Sequence, residues 1–179
     1  MRRVLLETQR RLWVERERGW ARWLNGAAAR PSVVMLLLVV SWLGDGPLWY
    51  ALIAALPRLG GAPGAPCALR MLLTGALNLG VYKLVKQRVA RPRPYVGCPG
   101  IRACARSLDE YSFPSGHVMH AVAFSVLLGA AYPEFAPAAW LFTLLVALSR
   151  VVLGLHYPSD VAFGAAIGLI DAELVSLVV

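Results

Sequence analysis

From Tyr111 to Pro133 the chain runs without a lysine, arginine, aspartate or glutamate. That is enough for a membrane-crossing helix, which takes about 20 mainly apolar residues. Five other apolar runs are shorter between charges: Pro31–Gly44, Gly46–Pro57, Met71–Tyr82, Phe135–Ser149 and Val161–Ile170. Each reaches spanning length only if its end charges snorkel or line a polar site. The composition agrees, with 58% hydrophobic residues, 16% charged residues and a mean hydropathy of +0.59. Soluble domains carry about 45–50% apolar and about 25% charged residues. A disordered chain and a basic soluble nucleic-acid binder are therefore both excluded. The length of 179 residues suits one domain.

The reading is an all-α polytopic membrane bundle of six transmembrane helices, at about 28–43, 46–60, 67–90, 114–132, 136–153 and 157–177. Gly44-Asp45-Gly46-Pro47, the Gly/Pro run at 60–66, Arg91-Pro92-Arg93-Pro94, Pro133 with Pro137, and Pro158 punctuate the breaks. Residues 28–179 form the membrane domain. Residues 1–27 form an amino-terminal helix in which Leu5, Leu12, Trp13, Trp20, Trp23 and Leu24 recur at helical spacing and arginines fill the other face. It reads as an interfacial helix on the cytoplasmic side, the alternative being a solvated basic helix with core tryptophans.

Of the 18 basic residues, Arg2, Arg3, Arg10, Arg11, Arg16, Arg18, Arg22 and Arg30 precede the first long apolar run and read as a cytoplasmic anchor. Six spans then put both termini in the cytoplasm and the helix ends near 90, 114, 154 and 157 at the outer, periplasmic face. Lys86, Arg93, His117, Arg150, His156 and Asp160 converge there. Ionisable groups at such a place default to function.

Three segments supply this constellation: Lys86 with Arg93-Pro94, Pro114-Ser115-Gly116-His117, and Ser149-Arg150 with His156 and Asp160. Lys86, Arg93 and Arg150 are cations suited to phosphate oxygens. Ser115 and Gly116, after Pro114, suit a helix N-terminus whose N–H groups hold phosphate. Phosphoryl transfer asks a protein mainly for such positioning and charge stabilisation.

The set Lys-x6-Arg-Pro, Pro-Ser-Gly-His and Ser-Arg-x5-His-x3-Asp, in this order, resembles the type 2 phosphatidic acid phosphatase family of membrane lipid phosphatases, which share their site with vanadium haloperoxidases. The resemblance implies that His156 attacks phosphorus to form a phosphohistidine. It implies that Asp160 orients His156, and that His117 protonates the leaving oxygen and then activates water. No metal and no cofactor are expected. The implied substrates are undecaprenyl pyrophosphate, phosphatidylglycerophosphate or phosphatidate, in the inner membrane of a bacterium. The competing functions are a membrane transporter and a phosphate-lipid-binding protein without turnover.

The other polar residues have plainer expectations. Lys83, Arg88 and Arg91 read as membrane-edge snorkels, Asp45 as turn chemistry and His120 as a packing residue. Arg102 and Arg106 belong to an outer loop, either solvated or attracting anionic headgroups. Asp171 and Glu173 have the amino-terminal arginines as conceivable partners. Cys67 reads as inert, and Cys98 and Cys104 are open to either a disulfide or free thiols.

Overall fold

The computed structural model describes residues 2–107 and 109–179, with side chains from Leu12 onward. Its helices are α1 (Arg2–Asn25), α2 (Pro31–Gly44), α3 (Pro47–Leu59), α4 (Gly64–Val89), the single turn α5 (Pro94–Gly97), α6 (Gly116–Ala131), α7 (Ala136–Val152) and α8 (Pro158–Val178). Short 3-10 turns at Gly26–Ala29 and Pro133–Phe135 join α1 to α2 and lead into α7. No strand forms among the described residues; one isolated bridge pairs Pro92 with Tyr111. Proline opens α2, α3, α5 and α8 and stands near the start of α7, where its missing N–H costs no helical bond.

All six expected spans are helical, but they are not alike. Gly64–Val89, Pro133–Val152 and Pro158–Val178 are long and apolar enough to cross a membrane, and a fourth span results if α1 and α2, bent by 109°, are one broken segment. The 16 residues of α6 are apolar but shorter. The 14 residues of α2 reach about 21 Å, short of a hydrocarbon core of about 30 Å.

Packing explains the difference. At one end of the bundle, Tyr132 Oη donates to the Gly60 carbonyl, and a Cβ on Gly64 would lie 2.0 Å from the Leu56 carbonyl oxygen, so α3 and α4 turn tightly there. At the other end lie Lys86, His117, Arg150 and His156. Helices α3, α4, α6, α7 and α8 run between these ends. Helix α2 does not. Its start is held where Arg102 Nη2 donates to the Ala28 carbonyl, and its finish is where Asp45 meets His117, both at the polar end. Between them Leu37 packs with Val152, Leu153 and Leu155. By length and composition three helices cross a membrane, or four with the bent α1–α2 pair, so the structure supports the helical bundle but not a count of six spans, and α2 has both its ends at the polar end.

Helix α1 is seated at the same end. Glu17, Ala21 and Asn25, one turn apart, face the protein: Glu17 pairs with Arg91, Ala21 is buried beside Cys98, Ile101 and Tyr157, and Asn25 Nδ2 donates to the Val152 and Arg102 carbonyls. The sequence reading put residues 1–27 at the opposite end. The stripe of small and polar residues between the tryptophans docks the helix here instead. The tryptophans are not core: Trp13, Trp20 and Trp23 are 63%, 52% and 78% exposed.

Trp49 packs edge-on against Phe124 and Phe142, contacts worth about 0.5–1.5 kcal/mol each beyond burial. Gly164 and Gly168 let α8 lie against the α6 backbone; a Cβ on Gly168 would stand 2.3 Å from the Met119 carbonyl oxygen. Small residues spaced four apart permit such close approach in membranes. This contact carries Asp160 on α8 beside Ser115 at the start of α6.

Candidate active site

The chain after α4 is turned sharply by Ala90, left-handed at φ 47°, a conformation costing about 1–2 kcal/mol for a residue with a Cβ. Arg91, Arg93 and the α5 turn follow at once. The loop that returns from α5 is tied back where Ser112 N donates to the Arg91 carbonyl, which delivers Pro114-Ser115-Gly116-His117 to the same place. On the third segment, α7 ends in Gly154 at φ 77°. Leu155 N and His156 N then both donate to the Arg150 carbonyl, closing the helix in the manner of a Schellman turn. A Cβ on Gly154 would meet the Arg102 carbonyl oxygen at 2.4 Å. That turn folds His156 back over Arg150.

Lys86, Arg93, Ser115, Arg150, His156 and Asp160 are all buried. Arg93 Nη1 donates to the Leu155 carbonyl at 2.8 Å and stands 3.4 Å from His156 Nε2. His156 Nδ1 points toward Asp160 Oδ2 at 3.8 Å, too far for a hydrogen bond, and has no partner. Asp160 is occupied otherwise: Oδ2 accepts from Tyr157 N at 2.8 Å as the third residue of α8, and Oδ1 accepts from Arg91 Nη1 at 2.6 Å. His156 lies outside the helices. Burial, then Arg150, Arg93 and Lys86, hold its imidazole well below the usual histidine pKa, which favours the neutral form.

Ser115 N donates to the Asp160 carbonyl at 3.1 Å, so it is not free for an anion, whereas Ser115 Oγ is buried without a partner. The space beside Gly116 is filled by the Tyr82 ring, 2.9 Å from where a Cβ would stand. Close packing of protein, not only of ligand, requires glycine there.

Five side chains that the sequence reading did not place in the site join this cluster. Asp109 is the first: its Oδ2 pairs with Lys86 Nζ at 2.7 Å and its Oδ1 with Arg93 Nη2 at 2.7 Å. Tyr82 Oη donates to the same carboxylate. Burial acts to raise the Asp109 pKa, but hydrogen bonds from Lys86 and Tyr82, the Lys86 charge and Arg93 bring it to about 2. A carboxylate thus occupies two of the cations suited to phosphate. Tyr82 stands one turn before Lys86, the only sequence signal for it.

Arg91 and Glu17 are next. Arg91 is no snorkel: it bridges Asp160, the Ser159 hydroxyl at 2.7 Å and Glu17 Oε2 at 2.7 Å, and its guanidinium stacks on the Tyr157 ring at 4.0 Å. Glu17 Oε1 also accepts from Ser159 N. Asp45 is the fifth, its Oδ1 3.1 Å from His117 Nε2; burial raises its carboxyl pKa against the charges of Arg150 and His120. Arg102 is exposed to solvent and also tied down, its backbone N donating to Asn25 Oδ1 and its Nη2 to the Ala28 carbonyl.

Other expectations resolve plainly. His120 Nδ1 lies 2.9 Å from the Gly116 carbonyl oxygen and its ring meets Phe124. Cys98 and Cys104 are free thiols, and so is buried Cys67. Asp171 is buried on α8; neither it nor Glu173 makes an ion pair among the described residues. Beside His117 a cavity of about 400 Å³ opens between α3, α4 and α6, lined by Asp45, Trp49, Ile53, Met71, Leu79 and Phe124 among others.

An apolar helical bundle with cations, two histidines and a carboxylate gathered at one end defines a class. Residues 67–179 match the PAP2 superfamily, and the chain belongs to it. It is 32% identical over 153 residues to decaprenylphosphoryl-5-phosphoribose phosphatase of Mycobacterium tuberculosis, covering 83% of this chain and 82% of that one. The enzyme of the same name from Mycolicibacterium smegmatis is 35% identical over 76% of this chain and 74% of its own. In fold the chain is similar to Aquifex aeolicus LpxE, with a TM-score of 0.73 and 23% identity over 88% of this chain and 92% of that one. It is also similar to the transmembrane PAP2-type phosphatidylglycerolphosphate phosphatase of Bacillus subtilis, with a TM-score of 0.68 and 24% identity over 88% and 83%. The relatives are phosphatases, and this chain is an enzyme of their kind, a membrane protein acting on phosphate esters of lipids.

Proposed function

We propose that the protein hydrolyses the phosphate monoester of a long-chain lipid through a phosphohistidine, without a metal. The observation that carries this is the approach of Arg93 to His156 Nε2 while Lys86, Arg93 and Arg150 surround the same buried point. His156, neutral at rest, attacks phosphorus with Nε2 while the P–O bond to the lipid breaks. As the imidazole gains charge, its Nδ1–H donates to Asp160 Oδ2, which closes the 3.8 Å separation of the resting protein. Lys86, Arg93 and Arg150 spread the charge of the equatorial oxygens. His117, at the mouth of the cavity, gives a proton to the leaving oxygen and afterwards takes one from the water that splits the phosphohistidine. Ser115 Oγ and Gly116 N supply further donors to the phosphate.

The apolar cavity beside His117 suits the lipid portion of the leaving group. Among substrates, the mycobacterial relatives favour a phosphorylated sugar carried on a polyprenyl phosphate, ahead of undecaprenyl pyrophosphate, phosphatidylglycerophosphate and phosphatidate. A transporter would place its charges near the bilayer centre, whereas these gather at one end of the bundle. The exposed tryptophans of α1 suit an interfacial helix.

The test is phosphate release by purified protein in detergent, with EDTA, across that panel of lipids. Wild-type protein is expected to release phosphate and His156→Ala none; full activity of His156→Ala or strict need for added metal would overturn the mechanism.

A further inference from the structure

The mechanism leaves His120 without a task, although it lines the cavity beside His117. That cavity holds about 400 Å³, toward the small end of the range of about 300–1,000 Å³ for ligand pockets. It therefore takes the part of the leaving group next to the phosphate, while the remainder of a long lipid stays outside. Most of its polar lining is committed. Tyr82 Oη donates to Asp109 and accepts from Lys86, the Trp49 indole N–H donates to the Gly44 carbonyl, and Asp45 faces His117. Tyr50, at the edge, is mostly exposed. His120 differs from all of these. Its Nδ1 lies 2.9 Å from the Gly116 carbonyl oxygen. A carbonyl only accepts, so Nδ1 carries the proton, and the neutral ring leaves Nε2 as an acceptor. Among the described residues the ring makes no hydrogen bond other than this one. It is half-buried, set edge-on to Phe124 in a wall that continues with Met71 and Leu72. An acceptor in so apolar a wall costs stability unless a donor meets it.

We infer, resting on the phosphatase reading, that His120 Nε2 accepts a hydrogen bond from a hydroxyl of the leaving group, and that the preferred substrate carries a sugar or glycerol between phosphate and lipid. His120 follows His117 by three residues, about 4.5 Å along α6. With the leaving oxygen at His117, a hydroxyl on the second or third carbon from that oxygen falls at His120. A sugar phosphate or a glycerol phosphate has such a hydroxyl. Phosphatidate, whose neighbouring oxygens are esterified, and a polyprenyl pyrophosphate have none. Those substrates leave the acceptor unpaired, and a site built to bond a hydroxyl discriminates against analogues that lack it. His120 is thus a specificity-determining residue, with no part in the proton transfers of His117.

The experiment is phosphate release in detergent from two matched pairs of lipids. One pair is a prenyl-phosphoryl ribose 5-phosphate and its 3-deoxy analogue. The other is phosphatidylglycerophosphate and the analogue in which propanediol replaces the glycerol. On the pair it prefers, the unaltered protein is expected to lose about tenfold in kcat/KM when the hydroxyl is removed, the discrimination of one hydrogen bond. His120→Phe, which keeps a ring against Phe124, is expected to lose about tenfold on the hydroxylated member and much less on the deoxy member. His120→Gln, whose amide oxygen still accepts, is expected to recover part of the preference. Equal rates on both members of each pair in the unaltered protein would overturn the inference, and so would equal losses by His120→Phe on both. Calorimetric binding of the dephosphorylated lipids, prenyl-phosphoryl ribose and phosphatidylglycerol, against their deoxy counterparts separates this inference from the reaction. Tighter binding of the hydroxylated lipid without phosphate release keeps the role of His120 and removes the reaction. Release with no preference in either measurement removes the role of His120 alone.

Discussion

Asp45 Oδ1 stands 3.1 Å from His117 Nε2, so the turn between α2 and α3 holds the imidazole at the first turn of α6. A carboxylate there orients the ring and stabilises its charged form, which a proton donor to the leaving oxygen needs. Asp45→Asn is expected to lower kcat/KM about 10- to 100-fold on an alkyl phosphate. On an aryl phosphate with a good leaving group the loss is much smaller, since little protonation is required. Equal losses on both substrates would mean that Asp45 serves structure alone.

Glu17 and Arg91 form the second relationship outside the family motifs. The guanidinium holds Asp160 with one nitrogen and Glu17 with the other, which couples α1 to the His156–Asp160 pair. Glu17→Ala and Arg91→Ala are each expected to reduce kcat. Their double-mutant cycle on kcat/KM is expected to show a coupling of about 0.5–3 kcal/mol, the range for groups in one network. Strict additivity would show that they act apart.

In the proposed mechanism Asp109 competes with phosphate for Lys86 and Arg93, with which it pairs. With its pKa near 2, depressed below the unfolded value, it is ionised throughout the assay range, and its contribution to stability is present above about pH 4 and lost as pH falls through about 2. Asp109→Asn is expected to tighten inhibition by inorganic phosphate roughly tenfold, the equivalent of about 1.4 kcal/mol. An unchanged inhibition constant, at an unchanged melting temperature, would show that the carboxylate already stands aside.

His156 must be neutral to attack. Because burial and three cations depress its pKa, the nucleophile stays deprotonated below the ordinary histidine value of about 6.5. The acid limb of kcat/KM, which reports the free enzyme, is expected to fall below pH 6.5. In Arg93→Gln, with one cation removed, the limb is expected to shift to higher pH as overall activity drops. A limb at or above 6.5 in the wild-type protein would contradict the neutral resting state.

Much was readable from residues alone. Apolar runs and proline breaks set the helices, because hydrophobic length and a missing N–H act locally. The three motif segments carrying Lys86 and Arg93, Ser115 and His117, and Arg150, His156 and Asp160 pointed to one polar end, because each spans a helix end and the turn beside it. Partners brought in from far along the chain were not readable. Asp45, Glu17 and Asp109 carry no local signature that separates them from turn or surface residues, and Arg91 looked like its exposed neighbours Lys83 and Arg88.

The sequence by itself determined an apolar helical bundle with a phosphate-suited set of cations and histidines. Only the tertiary structure decided where α1 and α2 go. Amphipathicity says that a helix has two faces but not which end of a bundle receives one of them. That choice was made by the Glu17, Ala21 and Asn25 stripe meeting Arg91, Tyr157 and Val152, contacts between segments more than seventy residues apart.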